Sequence, residues 1–344
     1  MRKYSVAILG ATGAVGQELI GILRERKFPL KSLKLLASAR SAGRVIEVNG
    51  EKLVIEEATP ESFADIDLAF FSAGGSISEA FVDAAREQGT VVIDNTSAFR
   101  LDPNVPLVVP EVNGDDLTWH KGLIANPNCS TTIGVMALAP LHAQVGIKRV
   151  VVSTYQAVSG IGAAAIDDLH NQVEQYIKGE PITARTFPSA SAAKQYQMLF
   201  NLIPHIDAFD EGDYTKEEWK MVRETRKILH DDNMPITCTT VRVPVFRSHS
   251  ESINVELHKD LSVDEARQIL AKAPGIKVYD NPKEQEYPMP LLTTNGDLVW
   301  VGRIRRDYSV PRGLNLWVVG DQIRKGAALN SVQIAEELVE RELL

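Results

Sequence analysis

Residues 5–16 read SVAILGATGAVG, an apolar run that passes directly into a glycine-rich turn. The run predicts a buried strand, and a helical pattern, Val15–Arg26, follows the turn. Glycines at a strand-to-helix turn let the backbone approach a pyrophosphate, whose charge is balanced by free N–H groups and the helix dipole. The spacing of Gly10, Gly13 and Gly16 departs from the usual dinucleotide fingerprint. A nucleotide loop is therefore predicted mainly from its position, and a tight turn without a ligand is the alternative.

The first 125 residues alternate short apolar runs with helical patterns. The predicted strands are Ser5–Leu9, Leu33–Ala37, Leu68–Ser72, Val91–Asp94, Leu107–Val109 and Leu123–Ala125. The predicted helices are Val15–Arg26 and Ser78–Gln88. Strands alternating with helices predict an α/β fold with a mostly parallel, doubly wound sheet of the Rossmann type.

The pattern changes beyond about residue 130, where longer strands begin. The predicted strands here are Arg149–Gln156, Pro235–Val243 and Ser252–His258, and the predicted helices are Ile133–Leu141, Ala163–Lys178, Thr215–Leu229, Val263–Ala271 and Ala327–Leu343. In the last strand Ile253, Val255 and Leu257 alternate with polar residues, which is typical of a sheet with one buried face.

Composition narrows the functional class. The 344 residues correspond to about two domains of roughly 150 residues each. Lys and Arg number 37 against 45 Asp and Glu, and this net charge of −8 argues against a general nucleic-acid or anionic-membrane binder. Two cysteines exclude a disulfide framework and a Cys-rich zinc site, and no cluster of metal ligands is evident. No apolar stretch reaches the ~18 residues of a membrane span, so we expect a cytoplasmic protein.

The residues after the second predicted strand favour NADP over NAD. NAD-binding domains usually place an acidic residue there to hold the ribose hydroxyls. No Asp or Glu occurs between Glu25 and Glu47, and Arg40 stands between Ser38 and Ser41. An arginine flanked by hydroxyls suits a 2′-phosphate, and a solvated loop arginine is the alternative.

Cys129 lies in the polar segment 126–132, NPNCSTT, just before a buried helical pattern. Asn, Ser and Thr are helix N-cap residues, so the thiol is predicted at a helix start. There the helix dipole lowers a thiol pKa, and backbone N–H groups could stabilise an oxyanion. Cys129 is thus a candidate acyl acceptor, and a buried structural cysteine is the alternative.

A nucleophilic cysteine needs a base, and seven histidines compete for that role. His249 ranks first because it stands in a polar turn between two predicted strands, close to Arg242. An unbroken strand would put the two on opposite faces, but Pro244 favours a turn, across which they could converge. Glu217 and Lys220 are three apart in a helical stretch, where an exposed ion pair is the default interpretation.

Together these motifs resemble the aspartate-β-semialdehyde dehydrogenase family over essentially the whole chain. The matching segments are GATGAVG at 10–16, NPNCST at 126–131, QAVSG at 156–160, EEWK at 217–220 and RVPVFRSH at 242–249. Five motifs in this order are highly specific, whereas any one alone is not.

The resemblance implies roles for individual residues. Cys129 would be the nucleophile that carries an acyl thioester, His249 the acid/base and Gln156 the residue that orients the substrate. Arg242 would bind the substrate carboxylate, and Glu217 its amino group, with the adjacent Glu218 as the alternative. The implied phosphate subsite comprises Arg100, Asn128 and Lys220. The implied NADP contacts are Gly10, Thr12, Gly13, Ala14, Val15, Arg40, Ser41, Ser159, Gly160 and Gln322.

The resemblance also implies a reaction and an assembly. The reaction would be the reversible, NADPH-dependent reductive dephosphorylation of β-aspartyl phosphate to aspartate semialdehyde, on the route to lysine, methionine and threonine. Residues 1–128, completed by a C-terminal helix in 327–344, would bind NADP, and residues 129–326 would form an α+β catalytic and dimerisation domain with a mixed sheet. A homodimer acting on a small molecule is expected. The alternatives are another acyl-phosphate reductase, such as N-acetylglutamyl-phosphate reductase or a relative of glyceraldehyde-phosphate dehydrogenase, or a non-catalytic NADP-binding regulator.

Overall fold

The computed structural model describes residues 2–48, 50–189 and 192–344. The chain divides into two units. The first contains the chain up to Asn128 together with Ala327–Leu344, and the second is Cys129–Gly326.

The first unit is built on a seven-stranded sheet in the order β3-β4-β2-β1-β5-β6-β7. Its elements are β1 (Tyr4–Leu9), α1 (Ala14–Glu25), β2 (Leu30–Ala37), β3 (Val45–Val48), β4 (Glu51–Glu57), β5 (Leu68–Phe71), α2 (Gly75–Glu87), β6 (Val91–Asp94), α3 (Pro110–Asn113) and β7 (Leu123–Ala125). All neighbours are parallel except β3 and β4, which form an antiparallel hairpin. The predicted Rossmann-type sheet is therefore confirmed.

One predicted strand of the first unit is wrong. Within Leu107–Val109 only Leu107 pairs with a neighbour, through an isolated bridge to Ala125. The chain cannot continue as a strand because Pro110 begins α3, and proline at the first helical position fixes a helical φ. The hairpin β3–β4 was missing from the prediction because Val45 and Val54 are exposed and no apolar face marks it.

The second unit contains a six-stranded mixed sheet in the order β11-β12-β13-β10-β8-β9. Its elements are α4 (Cys129–Val145), β8 (Ile147–Gln156), α5 (Ala163–Lys178), α6 (Lys216–Ile228), β9 (Ile236–Arg242), β10 (His249–Leu257), α7 (Val263–Lys272), β11 (Ile276–Val278), α8 (Pro290–Thr293), β12 (Val299–Asp307) and β13 (Gly313–Gly320). β8 runs antiparallel to β10 and parallel to β9, which makes the sheet mixed as expected.

Local sequence explains the ends of the helices that matter for the site. α4 starts at Cys129, four residues before the predicted Ile133, because the polar residues Ser130 to Thr132 are buried in its first turn. α6 begins at a capping box, in which the Thr215 and Glu218 side chains each accept from the other's backbone N–H. The predicted C-terminal helix is divided into a π-helical turn, Arg324–Ala328, and α9 (Leu329–Glu340).

The core of the first unit includes α9. Leu19 and Leu23 of α1 belong to the same buried cluster as Val332 and Leu338 of α9. Asn330 adds buried hydrogen bonds to Val108 O at 2.9 Å and Asn126 Oδ1 at 2.8 Å. Among the described residues, no helix is both long and apolar enough to span a bilayer.

Candidate active site

Three neighbouring strands of the second unit have a polar residue at the same edge of the sheet. β8 ends at Gln156, which pairs with Arg242 at the end of β9. On the other side of β8, β10 begins at His249. The three side chains are 1%, 4% and 0% exposed, so the sheet places three predicted site residues together in buried surroundings.

The turn between β9 and β10 brings Arg242 and His249 together, as the interruption at Pro244 predicts. A Cβ built on Gly160 would lie 3.2 Å from Arg242 Nη1 and 3.4 Å from His249 Nε2. Both side chains therefore border the space beside Gly160. Arg242 Nη1 also donates to Ala157 O at 2.7 Å, which fixes the guanidinium.

Cys129 is the first residue of α4 and is partly exposed. Its thiol therefore lies at the positive end of a helix, where the dipole favours the thiolate. The thiol also interacts electrostatically with Arg242: burial lowers the pKa of Arg242 to about 10, and Glu217 and Cys129 act in the opposite direction. Cys129 is thus placed as a reactive thiol requires.

Cys238 differs from Cys129 in every one of these respects. It is 4% exposed within β9, and burial raises the pKa of its thiol well above its ordinary value. Cys238 therefore keeps its proton and packs as a core residue.

Gln156 and Glu217 form a buried hydrogen-bonded pair. Gln156 Nε2 donates to Ser130 Oγ at 2.8 Å and to Glu217 Oε1 at 3.2 Å. Lys220 Nζ contacts the other oxygen of Glu217 at 3.2 Å and Asp207 at 2.7 Å. The predicted Glu217–Lys220 ion pair is present, but its expected exposure is wrong, because α6 turns Glu217 toward β8 and leaves it 5% exposed.

The adjacent Glu218 has a different environment. Its carboxylate accepts from Thr215 N at 2.7 Å and from Thr240 N at 3.0 Å. Both carboxylate oxygens of Glu218 are therefore occupied by backbone N–H groups, whereas Glu217 lies against the site residue Gln156.

Arg100 and Asn128 belong to the first unit. Arg100 is 7% exposed and donates to Asn126 O at 2.9 Å and Asn95 O at 2.8 Å, so its guanidinium is anchored in the loops that follow β6 and β7. Asn128 is 6% exposed in the segment after β7. Lys220, the third predicted member of the phosphate subsite, belongs to the second unit.

The glycine loop of the first unit has the geometry of a dinucleotide cradle. Gly10 follows β1 with φ at +95°, and a Cβ there would lie 2.8 Å from the backbone carbon of Ser72. A Cβ on Gly16 would lie 2.3 Å from Gly10 O. α1 begins at Ala14, its N-cap Gly13 contributes no side-chain cap, and its first turn carries no acidic residue. The loop, in which Thr12 to Val15 were predicted as contacts, therefore fits a bound pyrophosphate.

Arg40 and Ser41 lie on a short 3₁₀ turn, residues 39–41, directly after β2. Arg40 is exposed and Ser41 is buried. The charged group is at the carboxyl end of a parallel strand, the edge where ligands of such sheets bind. Its position fits the predicted contact with a 2′-phosphate.

Ser159 and Gln322, both predicted to contact NADP, are hydrogen-bonded to each other in the second unit, with Gln322 Nε2 donating to Ser159 Oγ. Gln322 Oε1 also accepts from Ser248 N at 2.8 Å. Gln322 therefore holds the residue before His249 in place, a link that the sequence did not indicate.

Two further supports of the site were missing from the prediction. Asp321 is fully buried and accepts from Arg247 Nε at 2.7 Å, from Asn295 N at 2.7 Å and from Ile323 N at 2.9 Å. The second is the backbone N–H of Ala157, which donates to His249 Nδ1 at 3.0 Å. A lone aspartate and a backbone amide give no pattern in a single sequence. Within the described part of the chain, no His, Cys, Asp and Glu side chains group as a metal site would need.

Two protein-family models match the chain. Residues 5–120 match the semialdehyde dehydrogenase NAD binding domain, and residues 138–325 match the semialdehyde dehydrogenase dimerisation domain. The two matches together cover most of the chain and follow the order of the two units.

Individual proteins are similar over nearly the full length. The aspartate-semialdehyde dehydrogenase of Aquifex aeolicus is 53% identical, with 99% of each chain covered. Aspartate semialdehyde dehydrogenase II of Vibrio cholerae, solved in complex with ASA, is 42% identical with a TM-score of 0.93, covering 99% of each chain. The Candida albicans aspartate semialdehyde dehydrogenase, solved with NADP, is 25% identical with a TM-score of 0.77, and each chain is fully covered.

Proposed function

This chain belongs to the aspartate-semialdehyde dehydrogenase family, and we propose that it reduces β-aspartyl phosphate to L-aspartate 4-semialdehyde with NADPH. The reaction is reversible and passes through a thioester on Cys129. It belongs to the biosynthesis of lysine, methionine and threonine. The observation on which the proposal rests is the grouping of Cys129 at the start of α4 with the buried charges of Arg242 and Glu217.

The substrate carries an ammonium and a carboxylate, and the second unit offers one partner for each. The guanidinium of Arg242 suits the carboxylate, because its fork of N–H donors matches two oxygens. The carboxylate of Glu217, held by Gln156 and Lys220, suits the ammonium. For the phosphate we assign Arg100, Asn128 and Lys220, as the family resemblance implies.

The Cys129 thiolate attacks the acyl carbon, and the bond between that carbon and the phosphate oxygen breaks. The electron pair leaves with phosphate, which takes a proton from solvent. NADPH, when bound, supplies the hydride that reduces the thioester. The C–S bond then breaks, and its electron pair restores the thiolate for the next turnover.

We assign NADP to the first unit through Gly10, Thr12, Gly13, Ala14 and Val15, with Arg40 and Ser41 at the 2′-phosphate. Two features support this assignment. A side chain at Gly10 or Gly16 would clash with nearby backbone atoms, and no side chain caps the start of α1. Ser159, Gly160 and Gln322 of the second unit are proposed on the nicotinamide side. The Candida albicans relative solved with NADP supports this cofactor choice.

We further propose that the first unit is the NADP-binding domain and that the second, 129–326, carries catalysis and homodimer formation. The dimerisation-domain match over residues 138–325 supports the latter. A cytoplasmic location is also proposed, and it is consistent with two cysteines that form no disulfide, since the cytosol keeps thiols reduced.

The test is the oxidative direction, measured as NADP⁺ reduction with aspartate semialdehyde and phosphate. We expect turnover that requires both compounds. N-acetylglutamate semialdehyde and glyceraldehyde 3-phosphate are the comparison substrates, and the buried Glu217 should exclude both because neither presents a free ammonium. Turnover of either one, without turnover of aspartate semialdehyde, would overturn the assignment.

A further inference from the structure

The ammonium of Lys220 on α6 lies between two carboxylates. It is 2.7 Å from Asp207 Oδ2 and 3.2 Å from Glu217 Oε2. The side chains of Lys220 and Asp207 are 24% and 37% exposed, whereas that of Glu217 is 7% exposed. An ammonium carries one positive charge and three N–H donors. The two carboxylates therefore more than neutralise Lys220, and the shorter contact is with the more exposed one.

The loop that carries Asp207 is fixed to the start of α6 and to β9. Ala208 O accepts from Lys216 N at 2.8 Å, and Ile203 exchanges two backbone hydrogen bonds with Arg242 at 3.0 and 2.8 Å. Asp207 has φ at +68°, a left-handed conformation that aspartate and asparagine tolerate, and its Oδ1 accepts from Ala208 N at 2.8 Å. The fold of the second unit thus places the Asp207 carboxylate beside Lys220.

This placement opposes the binding of phosphate to Lys220. A phosphate group requires the positive charge and the N–H donors that Asp207 already occupies, and two anions next to one ammonium repel each other. Glu217 is not the carboxylate that can move away, because it is buried and its other oxygen accepts from Gln156 Nε2 at 3.2 Å. Asp207 lies at the surface, where a carboxylate that leaves Lys220 is hydrated.

We propose that Asp207 is a built-in counter-ion of Lys220 that phosphate must displace in order to bind. The inference rests on the proposed function and adds to the phosphate subsite a residue that the family resemblance does not supply. No covalent bond changes in this exchange, since Lys220 keeps its proton and passes from one anion to the other. Asp207 thereby lowers the affinity for phosphate and favours its release after the thioester has formed.

Asp207→Asn removes the competing charge with little change in shape. Asparagine tolerates the same φ, and its Oδ1 can still accept from Ala208 N. Asp210→Asn is the matched control, because Asp210 is exposed in the same loop and its Oδ1 likewise accepts from the next backbone N–H, that of Glu211, at 2.9 Å. In the described part of the chain Asp210 pairs with no cation. The two variants remove the same charge and differ in the contact with Lys220.

The first test is a ³¹P NMR titration of the full chain with inorganic phosphate at constant ionic strength. We expect Asp207→Asn to lower the dissociation constant about fivefold and Asp210→Asn to change it less than about twofold. In a Lys220→Gln background the two substitutions should have equal effects, because no ammonium is left to compete for. An unchanged or higher dissociation constant in Asp207→Asn, or the same gain with and without Lys220, would overturn the proposal.

The second test is steady-state NADP⁺ reduction with aspartate semialdehyde and phosphate, which separates this role from a structural one. In Asp207→Asn we expect the KM for phosphate to fall about fivefold and the KM for aspartate semialdehyde to stay within about twofold of wild type. A change confined to the KM for aspartate semialdehyde, or a rise in both values, would contradict the proposal. A wild type inactive on aspartate semialdehyde would disprove the proposed function instead, and the phosphate titration would still decide on Asp207 because it needs no turnover.

Discussion

At the scale of single residues, Glu251 is an ionisable group at a position where ionisation is costly. It is fully buried, and neither carboxyl oxygen has a hydrogen-bond partner among the described residues. α4 approaches it so closely that a Cβ on Gly134 would lie 2.8 Å from Oε2. Burial raises the pKa of this carboxyl well above its ordinary value, so the folded state favours its protonated form.

This protonation makes stability depend on pH. The folded pKa of Glu251 lies above its unfolded value, so the folded state binds the additional proton between the two. Stability is therefore complete below the unfolded pKa and falls as pH rises toward the folded pKa. Glu251→Gln removes the titration while keeping the shape of the side chain. We expect its unfolding free energy to exceed that of wild type by up to about 1.4 kcal/mol per pH unit within that window.

Urea unfolding of both proteins at a series of pH values measures this difference. Well below the ordinary carboxyl pKa of about 4.3 the two stabilities should coincide. A Glu251→Gln variant that is less stable than wild type at neutral pH would mean that the carboxylate is ionised and compensated.

The sequence predicted which residues belong to the candidate site better than it predicted how each of them is buried and oriented. The turn at Pro244 correctly brought Arg242 and His249 together. The burial of Glu217 was not predictable from helical spacing, because it depends on α6 packing against the sheet. The orientation of His249 depends on the amide of Ala157, 92 positions away along the chain, which no local pattern encodes.

At the scale of elements, the turn from β1 into α1 depends on close backbone contact. Gly16 packs so tightly that a Cβ added to it would lie 2.3 Å from Gly10 O and 2.8 Å from Ala11 Cα. Backbone atoms on both sides leave no flexible group to move aside. Gly21, in the same helix, has nothing within 4 Å of its Cβ position.

These two glycines provide a matched pair of substitutions. Gly16→Ala should lower the unfolding free energy by about 1–3 kcal/mol, because the added methyl forces the loop away from the helix. It should also weaken NADP binding. Gly21→Ala should raise the unfolding free energy by about 0.5–1 kcal/mol, because alanine loses less backbone entropy in a helix. Denaturant unfolding and NADP titration measure both effects, and equal NADP affinity in the two variants would contradict a role for the loop in binding.

At the level of elements, burial alone did not decide what could be predicted, since β12 and β13 both contain buried residues and were missing from the prediction. The helix Ala163–Lys178 was predicted to the residue, and β8 and β9 within two residues at each end. β12 was missing because its buried residues Val299, Val301 and Ile304 do not keep a period of two: the register shifts between Gly302 and Arg305. α4 was predicted too short, since its first turn buries serine and threonine, which local preference assigns to a cap.

At the scale of the whole molecule, the second unit is expected to join two copies of the chain. Light scattering at micromolar concentration should give twice the mass of one chain. The unfolding temperature should rise with protein concentration, because association stabilises the folded state by mass action. A mass of one chain with a concentration-independent unfolding temperature would contradict the homodimer.

The central claim is that a thioester on Cys129 links the two halves of the reaction. The most direct measurement is mass spectrometry of the protein after mixing with aspartate semialdehyde and NADP⁺ in the absence of phosphate, which removes the acceptor of the acyl group. Peptide mapping should place one aspartyl group on Cys129, with the same adduct in Cys238→Ser and none in Cys129→Ser. Full turnover by Cys129→Ser, or an adduct on any other residue, would contradict the account.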